Sequence, residues 1–365
     1  MLINEIPDDC LLAIFEYLVN TDDLINCYKV CVKWSYLIAK RAKKVKYFGV
    51  VGYSSDYVYY PGSRQIDSTC LCKLFTNLQI ASLSLGLHRK VEDAIEFVRK
   101  QKSLRGLIKR YRGPIERYCD KLEMLSVDNF NPNNLRNGSS LKQLDVSNYS
   151  LAALKRDSHY LPNLERLKMC TKVPDNRYDG PVLEKLKILE MAFHRTFDNI
   201  FYGFQLMDLC PNLQSAHIFM AANTYFFDET LKHKCLQDLV IEFAGYHNHN
   251  WNNLKRLLMK YPNLKHLSLR IGSIKDEHIE QLVDILPNLV LLDVGKCSEV
   301  TQRAADYVKD YCKKHGRSIK FYFKGNRDEI GSDWPIKYEV VRGFDFMKHC
   351  FFKWHGLLSK FLIPI

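Results

Sequence analysis

The chain has 365 residues, 47% hydrophobic and 26% charged, and its formal net charge is +12. This composition is ordinary for a globular protein, and the length permits two or three domains. No stretch reaches the ~18 uninterrupted apolar residues of a membrane helix, and the first residues lack the basic segment of a secretory signal. We therefore expect a protein of the cytoplasm, the nucleus or both, without membrane partners and with reduced thiols at its twelve cysteines.

The excess positive charge is concentrated in two segments. Residues 40–46 contain five Lys or Arg and no acid, and residues 89–121 contain eleven against five acids. A protein that follows a phosphate backbone spreads its positive charges more widely. The pattern favours a solvated basic helix face over an acidic partner site. A nucleic-acid binder that uses these segments is disfavoured but stays open, and it predicts binding that falls steeply with salt.

Three short helices are predicted within residues 6–37. Pro7 suits a first helical position, and Thr21 is a good N-cap for the second helix. One face of the first helix carries apolar residues at helical spacing, namely Leu11, Ile14, Phe15 and Leu18. Three helices this small cannot bury so many large apolar side chains among themselves. A partner protein is therefore expected to cover the remainder.

This stretch resembles the F-box motif in the order and type of its residues. The matching positions are Ile6-Pro7, Leu11, Ile14-Phe15, Leu18, Asp23-Leu24, Val30-Cys31 and Lys33-Trp34. Ile6 replaces the commoner Leu, and Cys10 stands where many members carry a charge; neither change removes an anchor. The resemblance implies a domain that docks on the Skp-family adaptor of a cullin–RING ubiquitin ligase. The alternative is a generic three-helix cap on the rest of the chain.

The resemblance also implies which side chains would contact the adaptor. They are Ile6, Pro7, Leu11, Ile14, Phe15, Leu18, Leu24, Val30, Cys31 and Trp34.

Cys27 and Cys31, four residues apart, could instead form half of a metal site, but no matching pair follows and core packing explains them better.

The motif L-x-x-L-x-L recurs along the rest of the chain. Clear copies begin at Leu122, Leu141, Leu164, Leu186, Leu213, Leu236, Leu264 and Leu289, and degenerate ones at Ile80, Leu104 and Ser318. Within each copy the last two apolar residues are two apart, as on one side of a strand. Helix-like stretches such as 276–288 and 301–316 lie between copies. Stacked strand–helix units share one core, so an α/β solenoid is predicted, with strands on the concave face and helices on the convex face; an all-helical solenoid is disfavoured.

The spacing of the copies resembles that of leucine-rich repeats. The unit Leu289, Leu292, Val294 and Cys297 is similar to the cysteine-containing subclass, with Val300-Thr301 opening a helix. We predict an α/β chain in four parts: an F-box domain (1–44), a basic linker with a first irregular unit (45–75), a leucine-rich-repeat solenoid (76–325) and a C-terminal cap or tail (326–365).

Positions 3, 5 and 7 of each copy are expected to line the concave face, where a target protein would bind. The candidates for target contact are Arg166, Lys168, His217, Phe219, His266, Arg270, Lys320, Tyr322 and Lys324. The aromatic tail 343–365 is expected to cap the last unit. The second interpretation is that it folds onto the concave face or offers a partner site.

Motifs for catalysis or for cofactors were not found. The sequence lacks Walker, G-x-G-x-x-G, G-x-S-x-G and H-E-x-x-H patterns, and Cys70-Leu-Cys72 is too closely spaced for zinc. No catalytic residue, metal or cofactor is therefore predicted. The predicted function is substrate recognition within a Skp–cullin–F-box ubiquitin ligase. The alternative is a non-catalytic interaction scaffold without a ligase role.

Overall fold

The computed structural model describes residues 3–49, 55–60, 68–83, 91–109, 113–136, 138–171, 177–193, 200–222, 224–244, 250–270, 273–326, 340–354, 356 and 358–363. It forms two compact units: unit 1 comprises Met1–Gln143 and Tyr338–Val340, and unit 2 comprises Leu144–Lys337 and Val341–Ile365. Within the described residues, every helix is too short or too polar to cross a membrane. All twelve cysteines are free thiols.

Unit 1 begins with three helices, α1 (Asp8–Glu16), α2 (Thr21–Tyr28) and α3 (Val32–Ala42). The predicted three helices are confirmed, but their caps differ from the prediction by one residue. Pro7 is the N-cap of α1 rather than its first residue. Asn20, not Thr21, caps α2, because the Asn20 side chain accepts a hydrogen bond of 2.9 Å from the Asp22 amide. The Thr21 hydroxyl instead donates to the Tyr59 carbonyl at 2.7 Å.

We expect Asn20→Ala to destabilise α2 by about 1 kcal/mol, because the Asp22 amide loses its acceptor at the helix start. Faster hydrogen exchange at the first amides of α2 would reveal the effect. Asn26→Ala is the matched control, since Asn26 is exposed within the same helix and alanine is a better helix former. Equal exchange rates in Asn20→Ala and the native chain would contradict the capping role.

In the described part of unit 1, five parallel strands and two helices follow. The strands are β1 (Tyr47–Phe48), β2 (Tyr57–Val58), β3 (Ile80–Leu83), β4 (Gly106–Lys109) and β5 (Met124–Val127), and the helices are α4 (Ser68–Leu74) and α5 (Val91–Lys100). Their order is β2-β1-β3-β4-β5. The register pairs Ala81, not Leu83, with Leu107. The predicted copy that begins at Ile80 is therefore placed two residues too late in the chain. The cause is Ala81, which occupies the core position that leucine normally holds.

Unit 2 carries one parallel strand for each predicted copy of the motif. The strands are β7 (Arg166–Thr171), β8 (Ile188–Phe193), β10 (Ser215–Met220), β12 (Asp238–Phe243), β13 (His266–Arg270), β14 (Leu291–Asp293) and β15 (Lys320–Tyr322), preceded by β6 (Gln143–Val146) at the boundary of the units. The register aligns Leu167, Leu189, Ala216, Leu239, Leu267, Leu292 and Phe321. All of these except Phe321 are buried. The prediction that the fourth residue of each L-x-x-L-x-L copy faces the core is thus confirmed.

Helices connect these strands and bury their apolar sides. They are α6 (Leu151–Asp157), α7 (Gly203–Asp208), α8 (Trp251–Leu258), α9 (Asp276–Ile285) and α10 (Gln302–His315), with two short paired strands, β9 (Ile200–Phe201) and β11 (Thr224–Tyr225). The two helices predicted near 276–288 and 301–316 are α9 and α10. Thr301 caps α10, and Gly316 ends it with a left-handed φ of 62°.

Two cysteines contribute to the strand–helix units rather than to chemistry. The buried Cys297 thiol donates to the Leu269 carbonyl at 3.3 Å, and the buried Cys119 thiol donates to the Leu104 carbonyl at the same distance. The two acceptors lie 28 and 15 residues earlier in the chain, and a leucine side chain could not donate to either of them. The chain ends with β16 (Val340–Arg342), a π-helical turn (Met347–Phe351) and β17 (Phe361–Ile363).

Candidate functional site

The amino-terminal helices expose an unusual number of large apolar side chains. The exposed ones are Ile3, Ile14, Tyr17, Val30, Val32 and Tyr36. Ile14 on α1 and Tyr17, the C-cap residue of that helix, follow Cys10 at helical spacing, and Val32 and Tyr36 are four residues apart on α3. Tyr17 is 87% exposed and Val32 is 86% exposed. Large apolar side chains that stay exposed in this number are typical of protein-binding surfaces.

Three of the ten predicted adaptor contacts are buried instead. Leu11, Phe15 and Leu24 are at most 2% exposed. The Phe15 ring meets Trp34 edge-on, with 5.0 Å between centroids. These residues therefore hold the helices together, and the expectation that they present a surface to a partner is corrected. The reason is geometric, because α1 has one stripe facing α3 and another, with Ile14, facing outward.

The other seven predicted contacts retain accessible surface. Pro7, Ile14 and Val30 are exposed, and Ile6, Leu18, Cys31 and Trp34 are half-buried. Sequence reasoning missed Tyr17, Val32 and Tyr36, although helical spacing from Ile14 and from the start of α3 could have indicated them. The exposed surface that we call the helical patch consists of Pro7, Ile14, Tyr17, Val30, Val32 and Tyr36.

The first basic segment, 40–46, is not uniformly solvated. Lys40, Lys43, Lys44 and Lys46 are exposed, but Arg41 is completely buried and donates to the Leu18 carbonyl at 3.4 Å. Burial lowers the pKa of the Arg41 guanidinium, while Glu16 and Asp56 oppose that shift. The interpretation of a solvated basic face therefore holds for the lysines and is wrong for Arg41.

The second basic segment, 89–121, lines an open cleft of about 620 Å³ in unit 1. Its cationic walls are Arg99, Lys102, Arg117 and Arg136, with Tyr118 and Asp120 among them. The Arg99 guanidinium lies 4.3 Å from the centre of the Tyr118 ring. Another residue of the segment, Lys109, is buried and bridges both oxygens of Glu116 at 2.8 Å. Part of this positive charge is thus internal.

In unit 2, polar side chains alternate with the core leucines along the sheet. Seven of these side chains define what we call the polar face: Asp145, Arg166, Lys168, Glu190, His217, Glu242 and Arg270. Of the predicted target contacts, Arg166, Lys168, His217 and Arg270 are buried, and Phe219, His266 and Tyr322 are half-buried. Lys320 and Lys324 are exposed.

The C-terminal tail covers this polar face. The Arg166 guanidinium donates to the Lys360 and Ser359 carbonyls at 2.7 and 2.8 Å, and the Lys168 ammonium donates to the Leu358 carbonyl at 3.1 Å. Lys360 in turn pairs with Asp145 at 2.9 Å. The tail therefore lies on the face that was expected to bind a target, which is the second of the two sequence-based interpretations.

Arg270 binds the tail at a second point. Its guanidinium donates to the Phe351 and Lys353 carbonyls, each at 2.7 Å, and pairs with Glu242. The same Glu242 contacts His217 Nε2 at 2.9 Å. The buried charges of Arg270 and Glu242 compensate each other, while both terminal nitrogens of the Arg270 guanidinium also donate to the tail backbone.

Apolar contacts complete the tail interface. Phe346, Cys350, Phe351 and Leu358 pack with Val240 and Leu291 in one buried cluster. Phe351 approaches His266 with 6.4 Å between ring centroids, and Phe352 approaches Tyr322 with 6.1 Å. Trp354 points outward and stays 44% exposed, with Lys296 Nζ 4.6 Å from its ring centre.

The charges beneath the tail shift one another's ionisation. Burial would lower the pKa of Arg166, but the carboxylate of Glu190 at 2.8 Å outweighs it, so the pKa is raised. Burial lowers the pKa of Lys168, although Asp145 opposes this. Burial and the adjacent Glu190 raise the pKa of the Cys350 thiol, which donates to Glu190 at 3.4 Å. Cys350 is therefore a protonated packing residue rather than a reactive thiolate.

Acid is expected to weaken the tail through His349. Burial lowers the pKa of His349 below 6.5; Lys353 and Lys348 act in the same direction, and Asp345 opposes them. The folded tail thus favours the neutral imidazole of His349. The stability that this contributes to the tail is fully present above pH ~6.5 and is lost as the pH falls through the lowered pKa of His349. His349→Asn, which keeps an acceptor for the Asp345 amide, should show a shallower loss of thermal stability between about pH 7.5 and 5.5. Identical pH slopes would rule out this coupling.

In the described part of the chain, no three His, Cys, Asp or Glu side chains form a group that could hold a metal ion. Cys27 and Cys31 are both half-buried in the amino-terminal helices, and Cys70 and Cys72 lie on α4.

Comparison with known proteins identifies the amino-terminal domain. Residues 3–42, which include all ten predicted adaptor contacts, match the F-box-like family. The chain therefore carries an F-box-like domain, followed by parallel-strand α/β units of the solenoid type. No curated protein sequence matches the chain.

Two solved structures share a general likeness with the chain. One is the crystal structure of the Rad7 and Elc1 complex in yeast, at 15% identity and a TM-score of 0.43, covering 82% of this chain and 79% of that one. The other is the TLR13–ssRNA13 complex, at 17% identity and a TM-score of 0.40, covering 70% of this chain and 44% of that one.

Proposed function

We propose that this chain is the substrate-recruiting subunit of a Skp–cullin–F-box ubiquitin ligase and is not itself an enzyme. The F-box-like domain would bind a Skp-family adaptor, and the strand–helix units, as leucine-rich repeats, would hold a target protein. Catalysis would come from other subunits, with the chain raising the local concentration of the target. Such a ligase subunit would act in the cytoplasm, the nucleus or both.

The observation that carries this proposal is the helical patch on a domain of F-box-like sequence. A domain of about 40 residues is marginal without partners, and this one leaves Val32, Tyr36 and Tyr17 largely uncovered. Large aromatic and apolar residues left exposed on so small a domain are typical of surfaces that bind a partner protein. A generic cap would instead bury such residues against the following strands.

Pull-down with a Skp-family adaptor tests the proposal. We expect Val32→Asp to weaken capture about tenfold or more, because it places a charge within the helical patch without disturbing the buried core. Val182→Asp is the matched control, since Val182 is also exposed but lies in unit 2. Capture of the adaptor by the native chain and both variants to the same extent would contradict the predicted interface. Failure of the native chain to capture the adaptor would favour the scaffold without a ligase role.

A further inference from the structure

We infer that the polar face of unit 2 is a peptide-binding groove that is reversibly occupied by the chain's own tail, through its described residues 346–354 and 358–363. A partner's extended, apolar peptide would bind in the tail's place. The inference rests on the proposed function only in assigning that peptide to the target of the ligase. The groove itself is argued from the contacts of the tail.

The groove holds the tail mainly through the backbone. Arg166, Lys168 and Arg270 together donate to five main-chain carbonyls, those of Phe351, Lys353, Leu358, Ser359 and Lys360. Every peptide carries such carbonyls, so these contacts do not depend on the side chains of the tail. Hydrogen bonds from charged donors are also among the stronger ones in proteins. A foreign peptide could therefore use the same donors.

Selectivity would come from apolar side chains at two positions along the tail, which meet in one buried cluster. Cys350 and Phe351 pack in the cluster with Val240 and Leu291, and Leu358 enters the same cluster. Asp145 pairs with Lys360 of the tail at 2.9 Å and would favour a basic residue at the same place in a foreign peptide. The favoured ligand is thus an extended segment with an aromatic residue and, some residues later, an aliphatic residue followed by a basic one.

The composition of the covered surface argues for reversible occupation. Beneath the tail lie six charged residues: Asp145, Arg166, Lys168, Glu190, Glu242 and Arg270. Water solvates such groups well when the tail departs, whereas a permanent cap covers mainly apolar surface that water solvates poorly. Interfaces that exchange are likewise more polar than obligate ones. The charged part of the face can therefore be solvated when the tail leaves, whereas Val240 and Leu291 form the apolar part that a ligand must cover.

Tethering sets the strength with which a partner must compete. A segment joined to its own groove has an effective concentration of order mM, so a free peptide of equal affinity binds poorly to the intact chain. Cutting the tether removes this advantage and leaves every contact in place. This difference provides the test.

The experiment uses the full chain with residues 331–336 replaced by the cleavage site of a specific protease. A fluorescent synthetic peptide of residues 340–363 serves as the probe, and circular dichroism reports whether the cut chain remains folded. We expect cleavage to raise binding of the probe by about 100-fold and excess probe to release the original tail. The same peptide with Phe351→Asp should bind at least tenfold more weakly, because a charge would enter the apolar cluster.

Two results would overturn the inference. The cut chain could stay folded and retain its tail against a large excess of probe, which would make the tail a permanent part of the fold. Alternatively, the cut chain could unfold or precipitate when the released tail is removed by dilution without probe, which would make the tail a structural cap. Because the assay contains no adaptor, its outcome is separate from the adaptor pull-down that tests the proposed function.

Discussion

Arg270→Ala is expected to detach the first half of the tail and to destabilise unit 2 by about 3–5 kcal/mol. The substitution removes two hydrogen bonds to the Phe351 and Lys353 carbonyls and the ion pair with Glu242. Glu242 is 1% exposed, and its Oε2 has no hydrogen bond in the described structure. The buried Glu242 carboxylate would thus lose its guanidinium partner and keep its contact with His217 Nε2 at 2.9 Å. Hydrogen exchange should show the change as a loss of protection of 346–353 by about 100-fold or more.

Arg303→Ala provides the matched control for this experiment. Arg303 also pairs with carboxylates, Asp276 at 3.5 Å and Glu277 at 3.8 Å, but its side chain is 65% exposed. Exposed pairs contribute about 0–1 kcal/mol, so little change is expected. Arg270→Lys should be intermediate, since an ammonium can neutralise Glu242 but does not reproduce the forked donor geometry. Native-like protection of the tail in Arg270→Ala would contradict the role assigned to Arg270.

Phe15→Ala is expected to unfold the F-box-like domain. Phe15 is 2% exposed and packs edge-on against Trp34, and removing a buried phenylalanine ring costs about 3–5 kcal/mol. A three-helix domain of this size has little stability in reserve. Limited proteolysis should therefore cleave within residues 3–42, and adaptor binding should be lost as a consequence.

Ile14→Ala separates folding from binding in the same helix. Ile14 is adjacent to Phe15 but 49% exposed, so its truncation should alter stability by no more than about 0.5 kcal/mol. Adaptor capture should nevertheless weaken, because Ile14 belongs to the helical patch. If Phe15→Ala stayed folded and protease-resistant, the assignment of Phe15 to the domain core would be wrong.

Local periodicity was sufficient to predict most of the fold. The spacing of Leu289, Leu292 and Val294 predicted a strand because alternate residues of a strand share one face, and β14 lies there. The helices α9 and α10 followed from their own sequence pattern and from Thr301 as a cap. The frame of β3 was misread because Ala81 replaces the expected leucine, and only pairing with Leu107 fixed it. Strand register is a non-local property and cannot be read where the repeat is degenerate.

The sequence by itself determined that the chain opens with a helical domain of F-box type and continues with stacked strand–helix units, since both signals are local. It also identified Arg166, Lys168 and Arg270 as side chains on one face of the sheet. Only the tertiary structure decided that Phe15 faces inward and Ile14 outward, and that the tail binds this face. The contact of Arg166 with Lys360 joins residues 194 apart in the chain. No periodicity specifies such a contact, because it depends on where the folded sheet places its guanidinium groups relative to the returning backbone.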